Sequence, residues 1–600
     1  MKFFRGVFAA LFVWAVFLHA YTPTHPWLTD PENTRPHLDS LAMFWEGTFN
    51  TEKGAFYTEI KRNGDIETKW GTADYANTLT QSRNAYAMIR IFMVNGDTSY
   101  LNMAERALRF MRAHAWDESR GGWYTVVKMD GSVPYPNDRK TIFQNLYALL
   151  GLTAYWECTR DPEIKSWIDE TFDVLENRMW DTLHDGYFEY ANANWSYPKD
   201  KSFNGIVDAI TTHLVTFSMY DPESRYMSRW LEQTELILTK LVPTITPDAP
   251  FFKEYFSSSW GDGSTDPNRE EWGNSGHMNK ASWCLARLYR FNPQEAYLEA
   301  AELITGNMYD YAFDNEHGGM WGAFNRSTNL PNWNWNKSWW EQQQAVMAGL
   351  QLYDLTGKDV YLQMADSTLH FYTRFLVDHQ YGGVFAEVSN DGRTIINDGK
   401  GGGWKAGYHS SEYAYYVYLY QSLLNLNRPV TLHFRPHESA LNCQKLKPLA
   451  IENDRLWITA VERNGESWKT FGKDFVDFSH AEPGDVFTVT FSPDSTVQYV
   501  GTREIYRPRH YALQQNYPNP FNATTVIPFT MDKEGQAELT IYQLDGTFVQ
   551  RILFTRSAGE QTFTWNGTDA SGRDVASGIY VYQLRINGRH AGTRTMVMMK

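Results

Sequence analysis

Cysteine is nearly absent: three in 600 residues, Cys158, Cys284 and Cys443, spread over almost 300 positions. That number is too small and odd for a disulfide framework, and the spacing fits no zinc site. Charge is sparse as well. Charged residues make up 21% of the chain, with 70 acids against 55 Lys plus Arg and a net charge of −15, which excludes a protein that wraps a nucleic acid. Beyond the first twenty residues no apolar run reaches the ~20 residues a membrane span needs, so no span is expected in the mature chain. Several catalytic signatures are missing: no Gly-x-Ser-x-Gly elbow, no Gly-x-x-x-x-Gly-Lys-Ser/Thr phosphate loop and no His-Glu-x-x-His pair. Serine hydrolases, nucleotide motors and zincins are poor fits. What the chain has in abundance is rings. Its 23 Trp, 36 Tyr and 35 Phe are 16% of the residues, a composition that excludes a disordered or fibrous polymer.

The two ends read as addresses. Lys2 and Arg5 precede an apolar run from Val7 to Phe17, then Ala20 and the polar Tyr21-Thr22-Pro23-Thr24. Residues 1–20 are therefore expected to be a signal peptide; the alternative, a membrane anchor, is too short. After Arg428-Pro429 the pattern changes to alternation, as in Leu456-Trp457-Ile458-Thr459 and Val486 to Phe491, which marks residues 429–510 as a small β domain or linker. From residue 511 to 600, period-2 runs separated by Asp545-Gly546, Asn566-Gly567 and Ser577-Gly578 turns predict a β-sandwich.

Between these ends lies a repeat. Lys53-Gly54-Ala55-Phe56, Gly121-Gly122-Trp123, Asp185-Gly186-Tyr187-Phe188, Gly318-Gly319-Met320-Trp321 and Gly382-Gly383-Val384-Phe385 recur at steps of 64–68 residues, with one double step. A degenerate copy is expected near Pro250-Phe251-Phe252. Apolar residues at i, i+3, i+4 spacing, such as Ala104, Leu108 and Met111, give each unit helices. Six helical hairpins of about 66 residues predict an all-α (α/α)6 barrel over residues 26–428, with an open solenoid as the alternative. The rings after each glycine would crowd one end, which suits sugar recognition; simple packing of the turns is the competing reading.

Of sixteen histidines, two stand where a polar, glycine-bearing loop runs into an aromatic-rich helix: Asn274-Ser275-Gly276-His277 and Trp404-Lys405-Ala406-Gly407-Tyr408-His409. Two imidazoles across one cavity can act as paired general acid and base, or both can be capping or core residues. The acids Asp262, Glu270 and Glu271 could serve a glycosidase, although a polar surface loop fits them as well.

The segments Gln81-Ser82-Arg83, Phe143-Gln144-Asn145, Thr212-His213, Gly276-His277 with Ala281-Ser282-Trp283, Trp339-Trp340-Glu341-Gln342, and Trp404-Lys405 with Tyr408-His409 resemble the ordered motifs of the N-acylglucosamine 2-epimerase family. The resemblance implies an isomerase: metal-free, cofactor-free proton transfer at carbon 2 of a reducing mono- or oligosaccharide through an enediolate. By the same resemblance His277 and His409 are the acid and base, Arg83 stabilises the enediolate and His213 helps open the sugar ring. Trp339, Trp340, Asn145, Trp404 and Tyr408 would contact the saccharide. Two positions depart from the family pattern, Lys280 and Gln344 standing where carboxylates are usual. An ammonium beside an imidazole lowers its basicity. A carbohydrate-binding protein that has lost the chemistry is thus the alternative, with a polysaccharide lyase or glycosidase on the same barrel as a third reading. Asn516 to Asn522, with Trp565-Asn566-Gly567 and Ala576-Ser577-Gly578-Ile579-Tyr580, resembles the C-terminal sorting domains of type IX secretion cargo. That implies passage through the type IX machinery to a secreted or cell-surface location; an ordinary adhesive immunoglobulin-like module is the alternative.

Overall fold

The computed structural model describes residues 21–69, 71–331, 335–441, 456–493, 512–531, 534–543, 547–586 and 589–599. The expected signal peptide lies outside them. The chain divides into two compact units, Met1–Gln498 and Tyr499–Lys600.

The first unit is mostly helical. Its inner helices are α2 (Thr78–Asn95), α4 (Ile142–Thr159), α6, α8 (Ser275–Phe291), α10 (Trp339–Thr356) and α12 (Tyr408–Tyr420). α6 is a continuous wide-turned helix formed by Asn204–Asp208, Ile210–Leu214 and Val215–Tyr220. Alternating with these are α1 (Arg35–Glu46), α3 (Thr98–Ala115), α5 (Pro162–Arg178), α7 (Arg225–Leu236), α9 (Glu295–Ala312) and α11 (Asp359–Phe371). Burial separates the two sets. α2 is buried on every side from Thr78 to Val94, whereas α3 buries one stripe, Leu101, Ala104, Leu108, Met111 and Ala115, as a surface helix does. Small residues let inner helices approach: a Cβ on Gly151 of α4 would lie 2.4 Å from the Ser82 carbonyl of α2. The row closes on itself, because Gly407 N at the start of α12 donates to Asn84 Oδ1 of α2 at 2.8 Å and the Tyr86 and Tyr408 rings meet at 5.1 Å.

A buried lysine braces four of the glycine turns. Lys140 Nζ donates to Asp117 and the Gly121 carbonyl at 2.9 and 2.5 Å. Lys201 does the same with Asp181 and Gly186, Lys337 with Asp314 and Gly318, and Lys400 with Asp378 and Gly382. An acid plus a carbonyl offsets the desolvation of each ammonium. The degenerate copy is a chain reversal between Thr246 and Ala249, followed by the fully buried Phe251 and Phe252. Most rings after the glycines pack the turns: Phe56, Trp123, Tyr187 and Phe385 are buried, and Trp123 Nε1 donates to Thr171 Oγ1 at 3.1 Å, whereas Phe188 and Trp321 are half-buried.

Four strands between residues 430 and 493 form an antiparallel sheet, with Val430–Phe434 beside Phe487–Pro493, then Leu456–Arg463 and Glu466–Ser467. This sheet belongs to the first unit and shares its core. Val430, Leu432 and Phe434 alternate inward, His433 Nδ1 meets the Met93 carbonyl at 3.3 Å, and His437 N donates to the Thr159 carbonyl at 2.7 Å.

The second unit is a β-sandwich. One sheet pairs Ala512–Leu513, Thr525–Met531 and Gly559–Trp565; the other pairs Phe548–Arg556, Gly535–Gln543, Gly578–Ile586 and Arg589–Met598. Its own core includes Ile527, Phe529, Leu539, Trp565, Tyr582 and Leu584.

Candidate functional site

The starts of the inner helices gather the candidate residues. At α8, Asn274 Oδ1 accepts from Gly276 N and His277 N at 2.8 and 3.3 Å, so the cap fixes His277 in the first turn. Gly276 is required there: a Cβ would come within 2.4 Å of the Trp340 ring. The His277 imidazole stacks on Phe203, ring centres 4.2 Å apart, and its Nδ1 meets Glu254 Oε2 at 2.8 Å. Glu254 is itself buried, and its Oε1 accepts from Asn274 N at 2.8 Å. At α12, His409 is buried with Nδ1 2.7 Å from Gln343 Oε1. The Trp340 ring lies 5.1 Å from His277 and 5.8 Å from His409, so one indole joins the two imidazoles. Burial pushes His409 well below the ordinary histidine range, and Arg83, Lys280, His277 and Lys405 add to the effect. It is neutral at physiological pH.

Arg83 sits beside them. Its guanidinium lies over the Tyr147 ring at 4.2 Å, with Tyr408 and Phe143 at 5.5 and 5.7 Å, and Nη1 donates to the Trp404 carbonyl. Arg83 Nε is buried without a hydrogen-bond partner among the described residues. Trp404, 70% exposed, forms a rim against Phe143 at 5.4 Å, and Trp339 is half-buried 6.3 Å from His409.

Three sequence-derived expectations change here. His213 does not join the site. It is fully buried against Phe172 and Tyr226 of the outer helices α5 and α7, with Nε2 unpartnered among the described residues, and burial lowers it to about 3. Asn145 is also buried and acts as a clamp, accepting from Trp123 N at 3.0 Å and donating to the Thr141 carbonyl at 2.8 Å. Gln81 and Gln342 hold Phe56 and Met320 in the same way. Tyr408 is buried as the wall behind His409, their rings 4.2 Å apart. Of the Trp-rich stretch 331–340, residues 332–334 lie outside the described residues.

The two departures from the family pattern have other partners. Lys280 faces away from His277, its Nζ on Asp208 Oδ1 at 2.5 Å and Tyr147 OH at 3.2 Å, while Glu254 supplies the carboxylate to His277 from another element. Gln344 accepts from Trp283 Nε1 at 2.6 Å. Glu254, Gln343, Glu412 and Asp208 were not legible as site residues, because each is defined by a partner remote in sequence. Buried Glu341 accepts from Ser338 Oγ, and burial raises it to about 7. The glycosidase acids are spoken for: Asp262 and Glu270 both bind Lys253, and Glu271 accepts from Ser327. Among the described residues no group of three or more His, Cys, Asp or Glu could hold a metal ion.

The arrangement can exchange a proton at a carbon held between two imidazoles, with a buried cation to meet developing negative charge. Comparisons with known proteins find sugar epimerases and isomerases. The chain is 25% identical over 384 residues to the cellobiose 2-epimerase of Bacteroides fragilis, covering 62% of this chain and 93% of that one. It is 18% identical over 390 residues to the D-mannose isomerase of Marinomonas mediterranea, covering 64% and 95%. The solved cellobiose 2-epimerase of Spirochaeta thermophila has the same fold, with a TM-score of 0.58 and 22% identity over 67% of this chain and all of that one. Residues 521–590 match the FlgD Ig-like domain. Residues 54–412 match the N-acylglucosamine 2-epimerase (GlcNAc 2-epimerase) model, and the chain belongs to that family of enzymes.

Proposed function

We propose that this protein is an exported sugar 2-epimerase or aldose–ketose isomerase on an (α/α)6 barrel, acting on a reducing mono- or oligosaccharide. The observation that carries the reading is the pair His277 and His409, both against Trp340 and with the unpartnered Nε of Arg83 beside them. After ring opening, one imidazole takes the carbon 2 proton. The C–H electron pair becomes the C1–C2 double bond, and the carbonyl pair moves to oxygen 1, where the Arg83 guanidinium meets the charge. Proton return to the opposite face of carbon 2 gives the epimer, whereas return to carbon 1, with the oxygen 2 proton passing to oxygen 1, gives the ketose. Trp340, Trp339 and Trp404 offer stacking faces to the sugar. Export is supported by the leader-like residues 1–20 and by the C-terminal sandwich with its sorting-domain signature, which together favour the type IX route to the surface or medium.

Cellobiose, mannose and N-acetylglucosamine incubated with the full chain in D2O test the reading. Deuterium should enter carbon 2 of at least one, and His277→Asn and His409→Asn should each lower kcat by ~10²–10⁴-fold, with the double variant hardly worse than either. No exchange with any reducing sugar, and unchanged saccharide binding in both variants, would replace the enzyme with a binding protein.

A further inference from the structure

The hydrogen-bond directions behind His409 are forced by a single donor. An indole N–H can only donate, so the Gln344 atom 2.6 Å from Trp283 Nε1 is the amide oxygen. The other end of Gln344 is then its nitrogen, which donates to Gln343 at 3.0 Å. The receiving atom is Gln343 Oε1, and that same oxygen lies 2.7 Å from His409 Nδ1. An amide oxygen can only accept, so His409 Nδ1 carries a hydrogen. At its other end Gln343 Nε2 donates to the Glu412 carboxylate and to Met347 Sδ. Both lone pairs and both hydrogens of the Gln343 amide are used. Reversing it would set N–H against N–H at Gln344 and oxygen against oxygen at Glu412. Trp283, Gln343, Gln344 and Glu412 are all buried, so water offers little relief for a reversed amide.

We infer that Gln343 is a positioning residue that holds His409 in its Nδ1–H tautomer, leaving Nε2 as the lone pair that takes the carbon 2 proton. The two histidines are therefore unequal. His277 is backed by a carboxylate: Glu254 accepts from Nδ1–H whether or not Nε2 carries a proton, so His277 can hold a proton and return it. His409 is backed by a neutral amide, with Glu412 behind Gln343, and the nearby charges of Arg83, Lys280, His277 and Lys405 add to burial in disfavouring its protonated form, so it rests neutral and acts first as the base. Gln344, which departs from the family's carboxylate, belongs to this device. This division of labour rests on the two-histidine reading, whereas the tautomer is a property of the sugar-free protein and is measured separately.

The test is long-range ¹H–¹⁵N NMR of the full chain labelled with [¹⁵N]histidine, the His409 signals being identified by their loss in His409→Asn. In wild type Nδ1 should be protonated and Nε2 bare; an Nε2–H form overturns the inference. In Gln343→Leu the ring should become a mixture of tautomers, and kcat should fall at least ~10-fold at near-constant KM, since a wrong tautomer in a Ser-His-Asp triad can cost ~10⁴-fold. A wild-type tautomer pattern in that variant also overturns it. Should Gln343→Leu fail to fold, Gln343→Glu combined with Glu412→Gln keeps the shape and an amide donor against the new carboxylate: the Nδ1–H tautomer should persist and the titration midpoint of His409 should rise, because a negative charge now touches the ring. An unmoved midpoint counts against the inference. Tautomers as expected with no carbon 2 exchange would leave the positioning role standing and remove the epimerase reading instead.

Discussion

Lys280 stands three residues after His277, where a reading along the chain sets its ammonium against the imidazole. The side chain instead crosses to Asp208 on α6, and the pair is buried with Tyr147. Although burial opposes its charge, Asp208 and then Tyr147 hold Lys280 protonated above its ordinary value. Restoring the family's acid through Lys280→Glu therefore does not tune His277. It sets a second carboxylate against Asp208, and loss of one partner of a buried pair costs ~3–5 kcal/mol. Urea denaturation should show at least that loss, and Lys280→Met combined with Asp208→Leu should recover most of it. A Lys280→Glu protein as stable as wild type would contradict the pairing. The sequence marked Lys280 as unusual, but its partner is 72 positions away and no local pattern names it.

Among the elements, the inner helices were legible because their apolar spacing and glycine turns repeat, and the helix-start positions of His277 and His409 followed from the glycine-bearing loops before them. What each first-turn side chain does was harder to read. Asn145, expected to contact the saccharide, and the motif residues Gln81 and Gln342 each close on the backbone of the preceding turn, a pairing visible only once the hairpins are packed. His213 on α6 gives the clearest contrast. In sequence it is a polar motif residue, but its surroundings are the rings of Phe172 and Tyr226. With its folded-state value lowered from the ordinary 6.5 to about 3, chiefly by burial, it stays neutral where an unfolded chain would take a proton. Its contribution is therefore present above pH 6.5 and lost as pH falls toward 3. His213→Phe removes that liability. The stability of wild type relative to this variant should be flat above pH 6.5 and decline steadily below it, read from urea midpoints at successive pH values. A difference that stays constant down to pH 4 would mean that His213 is solvated. Carbon 2 exchange near neutral pH should be little affected, because His213 lies outside the site.

For the whole molecule, composition placed both changes of architecture, the turn to alternation after Arg428-Pro429 and the sandwich near the C-terminus, but it could not say which pieces share a core. Alternation reports that one face of a strand is covered and is silent on what covers it. In the structure the sheet of residues 430–493 is covered by the helices: Phe92 and Met93 of α2 meet His433, and Val430, Leu432 and Phe434 join the same buried cluster as the inner ring. The sandwich has a separate cluster of its own. Truncation should therefore behave differently at the two boundaries. A chain ending at residue 498 keeps the buried cluster of the first unit and should retain wild-type carbon 2 exchange and its thermal transition. A chain ending at residue 428 uncovers α2 and forfeits three fully buried side chains of Val430–Phe434 alone, at about 1.5–3 kcal/mol each, enough to remove most of the ~5–15 kcal/mol that a folded unit typically holds. Scanning calorimetry of both chains should show the shorter one aggregating, or melting far below the chain that ends at 498. Equal melting temperatures would show the sheet to be an appendage, and loss of exchange in the 498 chain would assign the sandwich a part in the site.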